Sequence, residues 1–160
     1  MDRKQKTALQ IAGIVLCYLI LGIISYFIGS SLAKTFLGAG GVSHTAWVKR
    51  YANLVITMAS FSGAVSLIWY LSARFGMPVS SPFGVGKRTI WAILGVLNLL
   101  FCIGVPNLLY AKLDKNFTIY LLFLVLFGVV GYYGCSLLAA PANYKYTPLG
   151  ARQLLSPKTK

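Results

Sequence analysis

Four stretches of the chain carry apolar residues almost without interruption, and none alternates between polar and apolar positions. The first uncharged interval runs from Thr7 to Ala33, between Lys6 and Lys34, around the centre IAGIVLCYLILGIISYFIGSSLA. The second, YANLVITMASFSGAVSLIWYLSA, covers 51–73, and the third, TIWAILGVLNLLFCIGVPNLLYA, covers 89–111. The fourth follows Lys115 and contains FTIYLLFLVLFGVVGYYGCSLLAA, 117–140. Each exceeds the roughly 20 residues that cross about 30 Å of hydrocarbon. A helix satisfies its own backbone hydrogen bonds, which lipid cannot do for it. The missing period of two argues against a membrane barrel. The expected fold is an all-α integral membrane protein, a compact bundle of four transmembrane helices. It occupies residues 1–144, with helices near 8–33, 51–73, 89–111 and 117–140, and a short basic tail follows at 145–160.

The basic start and apolar core of the first run also suit a signal peptide. The run is longer than an ordinary signal core and ends at Lys34 without a clear cleavage site, so it is read as a retained anchor.

Composition supports lipid as the solvent. Of the 160 residues, 58% are hydrophobic, and a soluble domain of this size leaves too much area exposed to hide them. The charges are one-sided: fifteen Lys or Arg face only two acidic residues, Asp2 and Asp114, for a net +13. In a soluble chain this excess would point to nucleic acid. Here the basic residues sit at the ends of apolar runs, so membrane lipids with anionic headgroups are the expected partners and nucleic acid is not.

The same residues set an orientation. With the N-terminus in the cytoplasm, the inner side receives ten: Arg3, Lys4, Lys6, Arg74, Lys87, Arg88, Lys145, Arg152, Lys158 and Lys160. The outer side receives five: Lys34, Lys49, Arg50, Lys112 and Lys115. The positive-inside rule selects both termini cytoplasmic. Charge bias and compact loops together place the expected location in a bacterial inner membrane. Trp47, Tyr51, Trp69, Tyr70, Trp91 and Tyr110 lie near the ends of the runs, where amphipathic rings favour the interface.

The loops offer little chemistry. SARFGMPVSSPFGVGKR combines Gly76, Gly84 and Gly86 with Pro78 and Pro82, and reads as a compact interfacial turn. Its GVGK lacks the full spacing of a phosphate loop. Arg74, Phe75, Phe83, Lys87 and Arg88, with Lys145 and Arg152 of the tail, are the candidates for cytoplasmic contacts to lipid or to a partner. The outer loop TFLGAGGVSHTAWVKR is glycine-rich and holds the single histidine, His44. Cys17, Cys102 and Cys135 form no CxxC and read as small buried hydrophobes.

The spans carry packing signals instead. Ser25, Gly29 and Ala33 recur every four residues in the first, as Ala59 and Gly63 do in the second, with Ser66 one helical turn on. Gly128, Gly131 and Gly134 recur every three in the fourth. Small faces let membrane helices approach closely. Asn98, costly against lipid, should face another helix, and Pro106 should kink the third span.

No acidic or basic side chain lies well inside a span, where proton- and ion-coupled transporters commonly need one. General acid-base catalysis has few candidates. No enzyme activity, cofactor or metal is expected. The expected function is a non-catalytic accessory or structural subunit of a larger membrane assembly, acting through helix packing and cytoplasmic loop contacts. Other integral membrane subunits are the expected protein partners, with a homo-oligomer as a further option. Two alternatives stay open: a small oligomeric channel or transport component, and an immunity-type protein that neutralises a membrane-inserting toxin.

Overall fold

The computed structural model describes residues 3–36, 44–75, 84–110 and 121–143, and side-chain surroundings over 4–31, 45–75, 89–108 and 121–138. The described residues form four long helices: α1 (Arg3–Phe36), α2 (His44–Phe75), α3 (Gly84–Tyr110) and α4 (121–143). Within α4, a π-helical stretch at Leu124–Gly131 runs into ordinary α-helix at Tyr132–Asn143. All four are long and apolar enough to cross a membrane, with mean hydropathies of 2.5, 1.7, 2.0 and 2.2 in chain order.

The helices continue past the apolar runs. α1 takes in Lys4 and Lys6, and α2 reaches back through Arg50 and Lys49 to His44, which is helical rather than part of a loop. At its other end α2 runs on through Arg74 and Phe75. α3 starts at Gly84, so Gly84, Gly86, Lys87 and Arg88 form its opening turns instead of a tight loop. Hydropathy marks where lipid would begin, whereas a helix already nucleated adds one backbone hydrogen bond per residue across that boundary. The expectations for residues 76–83, for the outer-loop glycines and for the tail lie outside the described residues.

Contacts between helices fix an up-down-up-down order. Along α1, Gln10, Tyr18 and Ser25 meet Tyr70, Ser66 and Tyr51 of α2, so the pair is antiparallel. Ser62 of α2 meets Asn98 of α3, and Phe61 stacks on Phe101 with ring centroids 3.6 Å apart. Asn98 and Trp91 of α3 then meet Phe127 and Ser136 of α4. The ring closes where Gln10 of α1 reaches Leu138 of α4. α2 also touches α4 across the diagonal and is the most buried helix.

Burial follows a seam rather than a broad face. On α1 the buried positions are Ile14, Tyr18, Leu21, Ser25 and Gly29, spaced by three or four residues. That interval keeps them on one stripe of a helix. The remaining faces are apolar and open, including Leu9, Leu16, Leu19, Ile23 and Phe27 on α1 and Ile93, Val96 and Leu100 on α3. Water would meet a large contiguous apolar surface there, and a bilayer is the solvent that suits it.

Candidate functional site

The inner seam is held at successive levels by polar side chains that each join two or three helices. At one end, Gln10 Oε1 accepts from Tyr70 Oη at 2.7 Å and from Arg74 Nη1 at 3.1 Å. Gln10 Nε2 donates to the Leu138 carbonyl at 2.9 Å. One amide thus ties α1 to α2 and to α4. On the neighbouring side, Tyr132 Oη donates to the Trp91 carbonyl at 2.7 Å, and Trp91 Nε1 donates to Ser136 Oγ at 2.8 Å. Ser136 Oγ in turn donates to the Tyr132 carbonyl at 2.7 Å. The Trp91 and Tyr132 rings stack with centroids 5.8 Å apart.

Nearer the middle, Tyr18 Oη and Ser66 Oγ lie 2.7 Å apart. Ser62 Oγ donates to Asn98 Oδ1 at 2.8 Å, and Asn98 Nδ2 donates to the Phe127 carbonyl at 3.3 Å. That carbonyl lies in the π stretch and also accepts the backbone N–H of Tyr132, five residues on. The wider π turn opens the backbone locally, and the asparagine reaches into the opening. At the far end, Tyr51 Oη donates to the Ser25 carbonyl at 2.9 Å, with Ser25 Oγ at 3.3 Å. Trp47 stacks on Tyr51 with centroids 5.0 Å apart, and Phe123 of α4 leans on the same ring.

Small residues serve as seats for larger side chains. The Tyr51 ring lies directly over Gly29, where no Cβ fits. Tyr18 rests on Gly63, at 3.6 Å from where a Cβ would stand, and on Gly131, at 2.8 Å. Leu99 fills the notch at Gly128, and Tyr132 covers Gly95. Gly134 has no neighbouring atom within 4 Å of its Cβ position. Steps of three fall short of a full helical turn, so successive glycines drift around the helix, and the π stretch adds to the drift.

Of the other packing candidates, Pro106 is fully buried inside α3, and Ala59 lies at the base of a groove between α1 and α2. Ala33 belongs to α1, at a position where side-chain surroundings are not described. Arg74 bonds to Gln10 and Phe75 is exposed. Lys87 and Arg88 are helical, with side chains outside the description, while Phe83, Lys145 and Arg152 lie outside the described residues.

The groove has a volume of about 500 Å³. It opens sideways from the bundle. Gly22, Ala52 and Ala59 keep it open, and Tyr26, Phe27 and Ile56 line it. Among the described residues, no three His, Cys, Asp or Glu side chains gather where they could hold a metal ion.

Reading the chain alone missed Gln10, Tyr18, Tyr132 and Ser136. Tyr18 was within reach, because it falls in the same spacing as Ile14, Leu21 and Ser25. Gln10 sits beside the first apolar centre as its one amide. Nothing in the residue pattern marks the π stretch.

No protein family matches the chain, and neither a curated protein nor a solved structure does.

Proposed function

We propose that the chain is a non-catalytic subunit of a larger membrane assembly, and that it takes an apolar helix of another integral membrane protein into the groove between α1 and α2. The observation that carries the reading is the division of labour within the bundle. Gln10, Tyr18, Ser62, Trp91, Asn98 and Tyr132 of the seam are engaged in bonds between this chain's own helices. The groove, by contrast, is a lateral notch with small residues at its base and apolar rims.

Small residues let a second backbone approach, and close van der Waals contact is what drives membrane helices together. The lining runs from Tyr18 to Phe27 on α1 and from Ala52 to Ser60 on α2. At 1.5 Å per residue it extends for about 14 Å along α1, room for two to three turns of a partner helix. In this reading both termini are cytoplasmic, on the ten-to-five division of basic residues. The membrane is a bacterial inner membrane, and Lys4, Lys6 and Arg74 stand at the end where anionic headgroups lie.

The test is a photo-crosslinker at Ile56, which is exposed on the groove rim, in native membranes. A crosslink to another polypeptide, lost when Ser60→Trp fills the groove, is the expected result. Capture of lipid alone, with complex recovery unchanged by Ser60→Trp, overturns the reading.

A further inference from the structure

Hydroxyl groups in this bundle follow two habits. Some are spent on their own helix: Ser30 Oγ and Ser31 Oγ donate to the Phe27 carbonyl at 3.0 and 2.9 Å, and Thr57 Oγ1 donates to the Asn53 carbonyl at 2.8 Å. Others bond between helices, as the phenols of Tyr18, Tyr51, Tyr70 and Tyr132 do. Tyr26 and Ser60 depart from both. They line the groove between α1 and α2, Tyr26 half-buried and Ser60 exposed. Among the described residues, neither Tyr26 Oη nor Ser60 Oγ has a hydrogen-bond partner.

The register of the two helices aims these hydroxyls at one occupant. The Cβ position of Gly22 lies 3.9 Å from Val55 Cγ1 and 3.8 Å from Ala59 Cβ, so Gly22 marks the middle of the groove. Tyr26 lies one turn from that level in one direction, and Ser60 lies nearly a turn from it in the other. Their Cα levels are separated by about 10 Å, two turns of a facing helix. Side chains lean towards the N-terminus of their own helix. In an antiparallel pair, Tyr26 and Ser60 therefore lean towards each other and shorten the gap.

Hydrocarbon offers neither hydroxyl a partner, and an unpaired hydroxyl in apolar surroundings is costly. We propose that the helix seated in the groove is not uniformly apolar: it carries two amide or hydroxyl side chains, four or seven residues apart, whose oxygens accept from Tyr26 Oη and Ser60 Oγ. The inference rests on the reading of the groove as a helix site, and adds the chemistry by which one helix is chosen. An aliphatic helix of the same shape would cover both hydroxyls and leave them unpaired, which turns the same two groups against the wrong partner.

The experiment uses the full chain in native membranes, with the photo-crosslinker at Ile56, and sequences the captured peptide by mass spectrometry. The expected peptide is a span of another membrane protein with amide or hydroxyl residues at the stated spacing. Tyr26→Phe and Ser60→Ala each remove one oxygen and no bond within the bundle, so thermal stability of the isolated chain should not change. Each should weaken the complex by about three- to twentyfold, the effect of one interhelical hydrogen bond. Leucine at the matching position of the captured span should weaken it equally, and combining it with the Tyr26 or Ser60 variant should cost nothing more. Additive losses, no loss in Tyr26→Phe and Ser60→Ala, or a captured span without such residues overturns the proposal. If Ser60→Trp still abolishes the complex in those cases, the groove takes a helix and only the polar match is wrong. Capture of lipid alone, or of a second copy of this chain, overturns the proposal together with the reading beneath it.

Discussion

Tyr18 Oη and Ser66 Oγ lie 2.7 Å apart in the buried centre of the bundle, joining α1 to α2. The ring that carries the hydroxyl sits between Gly63 of α2 and Gly131 of α4, so one side chain fastens three helices. The same design recurs where Tyr51 lies over Gly29 and bonds to Ser25, and where Tyr132 covers Gly95 and bonds to the Trp91 carbonyl. In each case a glycine provides the notch, a ring fills it, and the phenol finds a hydrogen-bond partner on another helix. Lipid supplies no hydrophobic drive for helices to meet, so dispersion contact and interhelical hydrogen bonds must hold them. A tyrosine seated on glycine supplies both.

Removing only the hydroxyl separates those two contributions. Tyr18→Phe keeps the ring between Gly63 and Gly131 and gives up the bond to Ser66. It should cost about 0.6–1.7 kcal/mol, the range for interhelical hydrogen bonds in membranes. Tyr18→Ala also empties the space between the glycines and should cost about 3–5 kcal/mol, as large-to-small core changes do. Reversible unfolding in bilayers measures both. Equal losses would mean that the ring contributes nothing.

The glycines should differ sharply in their tolerance of a methyl group. At Gly131 a Cβ would stand 2.8 Å from Tyr18 Cε1 and 3.1 Å from Leu21 Cδ1, and at Gly29 it would meet the Tyr51 ring. At Gly104 and Gly134 nothing lies within 4 Å. Gly29→Ala and Gly131→Ala should each destabilise by about 1–3 kcal/mol, the usual cost of overpacking. Gly104→Ala and Gly134→Ala should be neutral or slightly stabilising, since alanine favours the helix. Thermal unfolding of the four variants in one detergent is the check, and four similar shifts would contradict the packing.

Orientation can be read independently of packing. Introduced cysteines at positions 4, 82 and 155 should react with a membrane-impermeant maleimide from the cytoplasmic side, and one at position 42 from the opposite side. The expectation comes from the ten-to-five split of basic residues. A reproducible inversion would reverse the proposed topology.

The four helices were legible because apolar length is a direct demand of hydrocarbon thickness. The ends of the helices were not, since His44–Arg50 and Gly84–Arg88 are polar or glycine-containing yet continue helices whose hydrogen bonds do not depend on lipid. Small residues such as Gly29 and Gly63 stood out by spacing, but spacing says only that room exists. It does not say that a tyrosine from another helix fills the room. The π stretch has no local signature at all. Its opened carbonyl at Phe127 is matched by Asn98, which lies on a different span.

That match gives the most discriminating test of the bundle centre. Asn98 is fully buried, accepts from Ser62 Oγ at 2.8 Å and donates to the Phe127 carbonyl at 3.3 Å. Asn98→Leu removes both bonds while keeping an apolar volume in place. The Phe127 carbonyl retains the Tyr132 N–H, so the loss should be about 1 kcal/mol. Asn98→Asp keeps the acceptor for Ser62, but a carboxylate has no donor for the Phe127 carbonyl and brings charge to membrane depth. An aspartate near the centre of a span costs about 2.5–3.5 kcal/mol on insertion scales, so the aspartate variant should be the less stable. Hydrogen exchange should then locate the damage: the Tyr132 amide, bonded to the same carbonyl, should exchange faster in both variants, while the Tyr51–Ser25 end stays protected. Asn98→Asp as stable as the parent, or unchanged exchange at Tyr132 in both variants, would show that Asn98 does not hold the π stretch.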